Sequence, residues 1–527
     1  MKRDLAVGLW ILLLTFGLLL CGLPLSAQTV QRNAFVIHEI KHDTSLPLRE
    51  LARNAPATEP QGQRTLFPVR ATHFTGTTSA VDPVVQTEVL PLVSASTILN
   101  FDGVGGTAAG GVFPPDTNGS VGGSQFVLIT NFDYEVFDKA TGAIDLGPAR
   151  INTVWSGFGG QCQTNNGGDP IALWDKLAQR WVLEQLEYFV SGQNLVCVAV
   201  STTSDATGSY NRYSFNFGSS LPDYPKIGVW PDAYYLSVNS FGAGFAEPCA
   251  LNRTAMLSGQ TATMVCFSPN SQNFSFLPSD MDGVTQPPAG APAHFIQIGN
   301  GTTTLNYWDF HVDFVNTANS TFTGPNTITV PSYSLACGGF GSCEPQPSPG
   351  EKLDSLGDRL MYRNAYRNFG DHETMLVSHS VKPGSGATSQ GAARWYEFRA
   401  TPPGSTFTLF QSGTFQNKTM SIWMSSVAMD KNGDIALGAS ASSSSLKPAI
   451  LYTGRVPTDT LGKLESAKVI AKGTGVQTGG GSRWGDYSSM SIDPADDCTF
   501  WYAQEYYLAN GTNWISHVAS FKFDSCN

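Results

Sequence analysis

Charge is scarce in this 527-residue chain. Asp, Glu, Lys and Arg make up 14% of it, and 42 acidic against 31 basic residues leave a net charge of −11. No basic stripe is at hand to neutralise phosphates, which argues against nucleic acid as a partner. Long apolar runs are equally rare, and beyond the first 27 residues none is long enough to span a bilayer. No paired Cys-x-x-Cys arrangement occurs, which argues against a zinc site. A Gly-x-Ser-x-Gly elbow is missing, because "GSRWG" carries Arg483 at its centre. So are a Walker loop, a dinucleotide fingerprint ahead of a helix, and evident sialidase-type Asp boxes. His372-Glu373 has no second His four residues after the first, which excludes a zincin helix. A Ser-His-Asp triad stays open, since triads are defined by geometry rather than spacing.

Met1-Lys2-Arg3, an apolar run from Leu5 to Leu20 and the small-residue end Leu25-Ser26-Ala27 have the layout of a secretory signal peptide. The expectation is an exported protein, extracellular or periplasmic, with no stable membrane insertion after cleavage. A lipoprotein anchor at Cys21 competes, but Leu20 stands before it where such signals want a small side chain. Cleavage after Ala27 leaves eight cysteines, an even number that favours disulfides in an exported chain. Pairing of neighbours in order keeps each bridge within one local stretch: Cys162 with Cys197, Cys249 with Cys266, Cys337 with Cys343, and Cys498 with Cys526.

Glycine (54), proline (31) and aromatics (11%) are plentiful, the composition of a strand-and-turn protein. Residues 28–94 show no sustained period and read as a loosely ordered, partly disordered extension: a linker, a propeptide or a strap along the main domain. From residue 95 to 527, strand-length apolar runs alternate with Gly/Asn/Asp/Pro turns. "GSVGGSQFVLITNFDYEVFDKATGAI", "DPIALWDKLAQRWVLEQL", "IGVWPDAYYLSVNSF", "VAMDKNGDIALGAS" and "SIDPADDCTFWYAQEYY" all read as strand, Asp-containing turn, strand. Such a degenerate repeat predicts an all-β propeller of about seven four-stranded blades, with six or eight also fitting. The final strand "WISHVASFKF" is expected to pair near Thr97–Phe101 and close the ring. Tandem β-sandwiches are the alternative, with Pro-rich stretches such as "LPSDMDGVTQPPAGAPAHF" as linkers.

"FPPDTNGSVG", "DYPKIGVWPDAYYLSVN", "RLMYRNAYRNFGDHE" and "RWGDYSSMSIDPADDCTFWYAQEYY" resemble a family of large secreted bacterial proteins over residues 113–526. The resemblance implies a propeller-like β-domain and export. It implies no reaction and carries no catalytic residues over.

Several stretches are candidates for chemistry. In "YWDFHVDF", strict alternation puts Trp308, Phe310, Val312 and Phe314 on one strand face and Asp309, His311 and Asp313 on the other. On an outer strand that polar face is solvated; on an inner one the trio would need to pair or hold a metal. Arg363 and Arg367 share a strand face before a turn with Asp371, His372 and Glu373. They read as salt-bridge partners or as a rim site that binds an anionic or sugar substrate. Trp484 beside Asp486 and Glu505 has the make-up of a sugar-stacking subsite, and Asp371, Glu373, Asp486 and Glu505 are the proton-transfer candidates. Asp430-Lys431-Asn432-Gly433-Asp434 starts like a calcium loop, but Ile435 and Ala441 stand where Gly and a bidentate Glu belong, so a hairpin turn explains it. No cofactor is demanded. A structural calcium at Asp116 in "PPDTNG" is the one cation reading. The favoured role is binding an extracellular glycan or polymer through an aromatic and acidic rim. A carbohydrate-active hydrolase or lyase is the second reading, and an adhesion module the third.

Overall fold

The computed structural model describes residues 28–53, 81–106, 108, 112–188, 192–241, 245–269, 273–384 and 390–526. The expected leader, with Cys21, lies outside the described residues.

Seven four-stranded antiparallel sheets stand around one axis and make a β-propeller. Blades 1 to 6 span residues 118–150, 171–216, 221–266, 277–329, 361–415 and 421–472 in chain order. Blade 7 combines residues 489–523 with the early strand Ala95–Gly105. The inner strands touch their neighbours in a closed cycle, the seventh returning to the first. Those of blades 4 and 5 are hydrogen-bonded in parallel, with Ser279 opposite Asn364.

Each blade is sandwiched between two others, so its middle strands are covered on both faces and lose the alternation of a half-exposed sheet. Glu373–Val381 and Ile435–Ser442 are buried at every position. The axis is also tight. A Cβ on Gly228 would lie 2.2 Å from the carbonyl oxygen of Ser279 on the next blade, so only glycine fits there.

Ring closure follows the sequence reading: Thr97 lies opposite Phe521 and Phe101 opposite Val518. The structure holds the four disulfides in the expected order, Cys162–Cys197, Cys249–Cys266, Cys337–Cys343 and Cys498–Cys526.

Within the expected loose extension of residues 28–94, the described residues 28–53 and 81–94 run along the outer edge of the ring and carry regular elements. Thr29–Gln31 pairs with the outer strand of blade 4. Phe35–Thr44 lies between the outer strands of blades 3 and 2 and hydrogen-bonds to both. The short helix Leu48–Arg53 contacts the outer strand of blade 1. Val85 then bridges to Thr414 on blade 5, Leu92 to Ser466 beside blade 6, and the strand from Ala95 completes blade 7. This belt pairs or covers backbone edges that would otherwise template association.

Candidate functional site

All inner strands start on one face, here the upper, and end on the lower. Asp116, Asp169 and Ser275 stand two residues before three of them, and Tyr224 and Met424 lie within the first half of two others; all five are left-handed non-glycine residues, with φ between 48° and 54°. Such backbone persists only where its surroundings fix it. Aspartate side chains do much of that fixing. Asp116 accepts from the backbone amide of Asp486 (2.8 Å) and from Asn131 Nδ2 (3.1 Å). Asn131 Oδ1 accepts from the amide of Asp169 (2.7 Å), and Asp169 from the amide of Tyr224 (3.3 Å). The upper loops of blades 7, 1, 2 and 3 are thereby stitched together around the axis.

This upper cluster is acidic and dry. Arg483 bridges Asp354 (2.9 Å) and Asp486. Lys226, fully buried, sits over the rings of Tyr224 (3.6 Å) and Tyr487 (3.9 Å), and desolvation pulls its ammonium down to about 8. Glu505 accepts from the Gly485 amide (2.8 Å) and Thr117 Oγ1 (2.9 Å), yet burial still pushes it up to about 8. Burial, with the Asp486 charge nearby, lifts Asp169 to about 6, and burial lifts Asp354 to about 6 against the pull of Arg483. Asp116, Asp223 and Glu184 are raised well above the carboxylate range, burial being the first cause in each. Glu184 has neither carboxylate oxygen hydrogen-bonded. A neutral carboxyl is the form such a site holds at pH 7.

The lower mouth of the channel is different. The hairpins that follow the inner strands of blades 1, 2 and 7, with residues 283–284 of blade 4, surround a cavity of about 400 Å³. Trp174, Lys176, Gln179, Ser124, Ser204 and Asp497 are among its walls. Its charged lining residues are ion-paired: Lys176 with Asp282, which Arg363 shares along with Asp280 (2.9 Å), and Asp497 through both oxygens with Arg367 (2.7 and 2.6 Å). Trp174 is held by Trp181, their ring centres 4.9 Å apart.

Of the four carboxylates expected to transfer protons, Asp486 and Glu505 meet in the upper cluster, buried at 5% and 1% exposure. Asp371 and Glu373 do not join them. They belong to the hairpin after Met361–Asn368, an eight-residue strand that puts them roughly 25 Å away along the axis. There Asp371 is exposed and bonds His372 Nδ1 at 2.6 Å, while Glu373 accepts from Tyr366 Oη at 2.5 Å. The residues expected to touch substrate are mostly packing or ion-pair residues. Trp308 is buried against Phe276 and Phe322, and Trp484 donates to Ser440 Oγ at 3.1 Å. His372 stacks on Phe369. Arg363 and Arg367 are buried pairs linking blade 5 to blades 4 and 7, and Arg363 also donates to the Met490 carbonyl.

The expected metal trio does not converge. Past the bulge at Tyr307 the alternation holds: Trp308, Phe310 and Val312 are buried while Asp309 is half-buried and His311 exposed, so the polar face is partly solvated, and the strand ends at His311. Asp309 instead accepts from His294 (2.7 Å) and Asn326 (3.1 Å), and Asp313 caps the amides of Val315 and Asn316 in a turn. Asp430 likewise binds the amides of Asn432 and Asp434, the hairpin rather than a calcium loop.

Asp169, Asp223, Lys226 and Glu184 were missed as site residues. The aspartates carried a positional signal, since "GGD" and "LPD", like "PPD" and "WGD", set an aspartate after Gly or Pro at or near the start of an inner strand; Lys226 and Glu184 carried none.

No family model and no curated protein matches the chain. Solved structures do. The WD40 domain of SCAP from fission yeast is 11% identical over 76% of this chain and 82% of its own, with a TM-score of 0.34. Drosophila Semaphorin 1a, extracellular domains 1-2, is 10% identical over 82% and 89%, with a TM-score of 0.31. The endo-arabinase from Bacteroides thetaiotaomicron VPI-5482 is 11% identical over 57% and 93%, with a TM-score of 0.25.

Proposed function

We propose that this propeller is an exported binding protein that takes the end of an extracellular glycan, or a polar polymer like it, in the lower-mouth cavity. The carrying observation is that cavity itself: an indole, an ammonium, an amide and hydroxyls around about 400 Å³ at the axis, on hairpins from rigid blades. Trp174, 5% exposed and packed on Trp181, gives the cavity an apolar wall against which a sugar ring can rest, and Lys176, Gln179 and Ser124 offer donors and acceptors for its hydroxyls. Hydrolysis is the weaker reading there, because Asp497, the one carboxylate among the described residues of that wall, is already held at both oxygens by Arg367. The upper carboxylates Asp486 and Glu505 are buried away from any approaching chain. Four disulfides favour an oxidising compartment, in keeping with the leader; among the described residues no helix is long and apolar enough to cross a membrane.

A glycan array followed by calorimetry tests this. Trp174→Ala is expected to weaken the best oligosaccharide at least about tenfold, the loss typical of a buried aromatic anchor, with the melting transition still cooperative. Binding undisturbed by the substitution, or no oligosaccharide bound at all, refutes it.

A further inference from the structure

Three of the four disulfides are sealed in the core: Cys162, Cys197, Cys249, Cys266, Cys498 and Cys526 are at most 1% exposed. Cys337–Cys343 is not. Cys343 is exposed and Cys337 half-buried, and only six positions separate them. The pair forms part of the wall of a second cavity, about 510 Å³, on the upper face beside blades 5 and 6, with Lys352, Lys382 and Ser421 on the same wall. Glu344 is fully buried, and its Oε1 lies 3.7 Å from Cys337 Sγ and 3.9 Å from Cys343 Sγ. The Ser355 hydroxyl lies 3.3 Å from Cys337 Sγ.

We propose that Cys337–Cys343 is a thiol–disulfide exchange site, which oxidises an external dithiol entering this cavity, with Glu344 as its proton carrier. A thiolate of the dithiol attacks Cys343 Sγ, the sulfur open to solvent. The S–S bond breaks, and Cys337 leaves as a thiolate that takes the proton of the Glu344 carboxyl. The second thiol gives its proton to the Glu344 carboxylate and attacks the mixed disulfide, releasing Cys343, which is protonated from water. The external dithiol departs as a disulfide, two electrons poorer, and Cys337 and Cys343 hold those electrons as thiols. Exposure decides which disulfide a thiolate reaches, and the lysines on the wall favour thiolates over thiols. Burial raises Glu344 to about 7, against the pull of Ser421, Ser355 and the Gly391 amide, so it carries a proton where the first step needs one.

The test uses the intact protein and dithiothreitol, without denaturant, at pH 6, 7 and 8, with alkylation and mass spectrometry to read each cysteine. Cys337 and Cys343 are expected to open at least about tenfold faster than the other six. Glu344→Gln is expected to slow opening at pH 6 and 7 and flatten the pH profile. Equal rates for all four disulfides, or a pH profile the substitution does not move, overturns the proposal. Should Glu344→Gln fail to fold, the single-cysteine variants decide. Cys343 in Cys337→Ser is expected to form a mixed disulfide with oxidised glutathione faster than Cys337 in Cys343→Ser, and equal rates overturn it.

Discussion

Replacing Glu505 by glutamine should make the propeller more stable at neutral pH. Burial raises this carboxyl from 4.5 to about 8 in the folded chain. A raised folded value means that its contribution to stability is fully present below about 4.5 and is lost as pH rises toward 8. At pH 7 the folded protein still holds the proton that the unfolded chain has released. Each pH unit of that mismatch is worth about 1.4 kcal/mol, so the interval from 4.5 to neutrality costs about 3 kcal/mol. The amide of Glu505→Gln avoids this cost and suits the site: its oxygen accepts from the Gly485 amide, and its NH₂ donates to Thr117 Oγ1 in place of the bond made now. Urea unfolding should therefore show the variant more stable by up to about 3 kcal/mol at pH 7 and level with the parent at pH 4. Equal destabilisation at both pH values would refute the reasoning, because it would mean that Glu505 is ionised in the fold.

Arg367→Ala should cost about 3 kcal/mol in the same assay, since it leaves Asp497 without its two-pronged partner and unties blade 5 from blade 7. Gly228→Ala should cost at least about 2 kcal/mol, because the new methyl meets a backbone oxygen that no rotamer can move; a loss below about 0.5 kcal/mol would mean that the axis is looser than drawn. Removal of residues 28–44 bares the outer strands of blades 2, 3 and 4, and light scattering should then report association in place of a monodisperse ring.

Local features of this fold were legible and circumferential ones were not. Blade units could be counted because each is a meander of neighbouring strands joined by Asp/Gly turns, and the disulfides fell in order because each bridge stays within one blade or its adjoining loop. The partner of residues 515–523 was readable because a ring needs one closing strand. Phe35–Thr44 gave no such hint: its place is set by two half-exposed edges from different blades, and neither edge is visible in its own residues. For the candidate site, the aspartates before the inner strands were visible one at a time, but their convergence requires the seven-fold ring. Asp309 and His311 do share a strand face, but that strand stands away from the axis with its polar face partly solvated, and Asp313 lies past its end; a strand's place within its blade is not written in its own residues.

The belt reverses the usual relation between synthesis and assembly. Its segments are made before the blades they join: residues 29–31 must wait for blade 4, residues 82–86 for blade 5, and residues 95–105 for residues 515–523. An emerging chain can build blade after blade but cannot be hooped until residues 515–523 have emerged. Loss of residues 515–526 should thus open the ring where residues 95–105 latch onto it, whereas loss of a lower-face hairpin tip would leave the hoop intact.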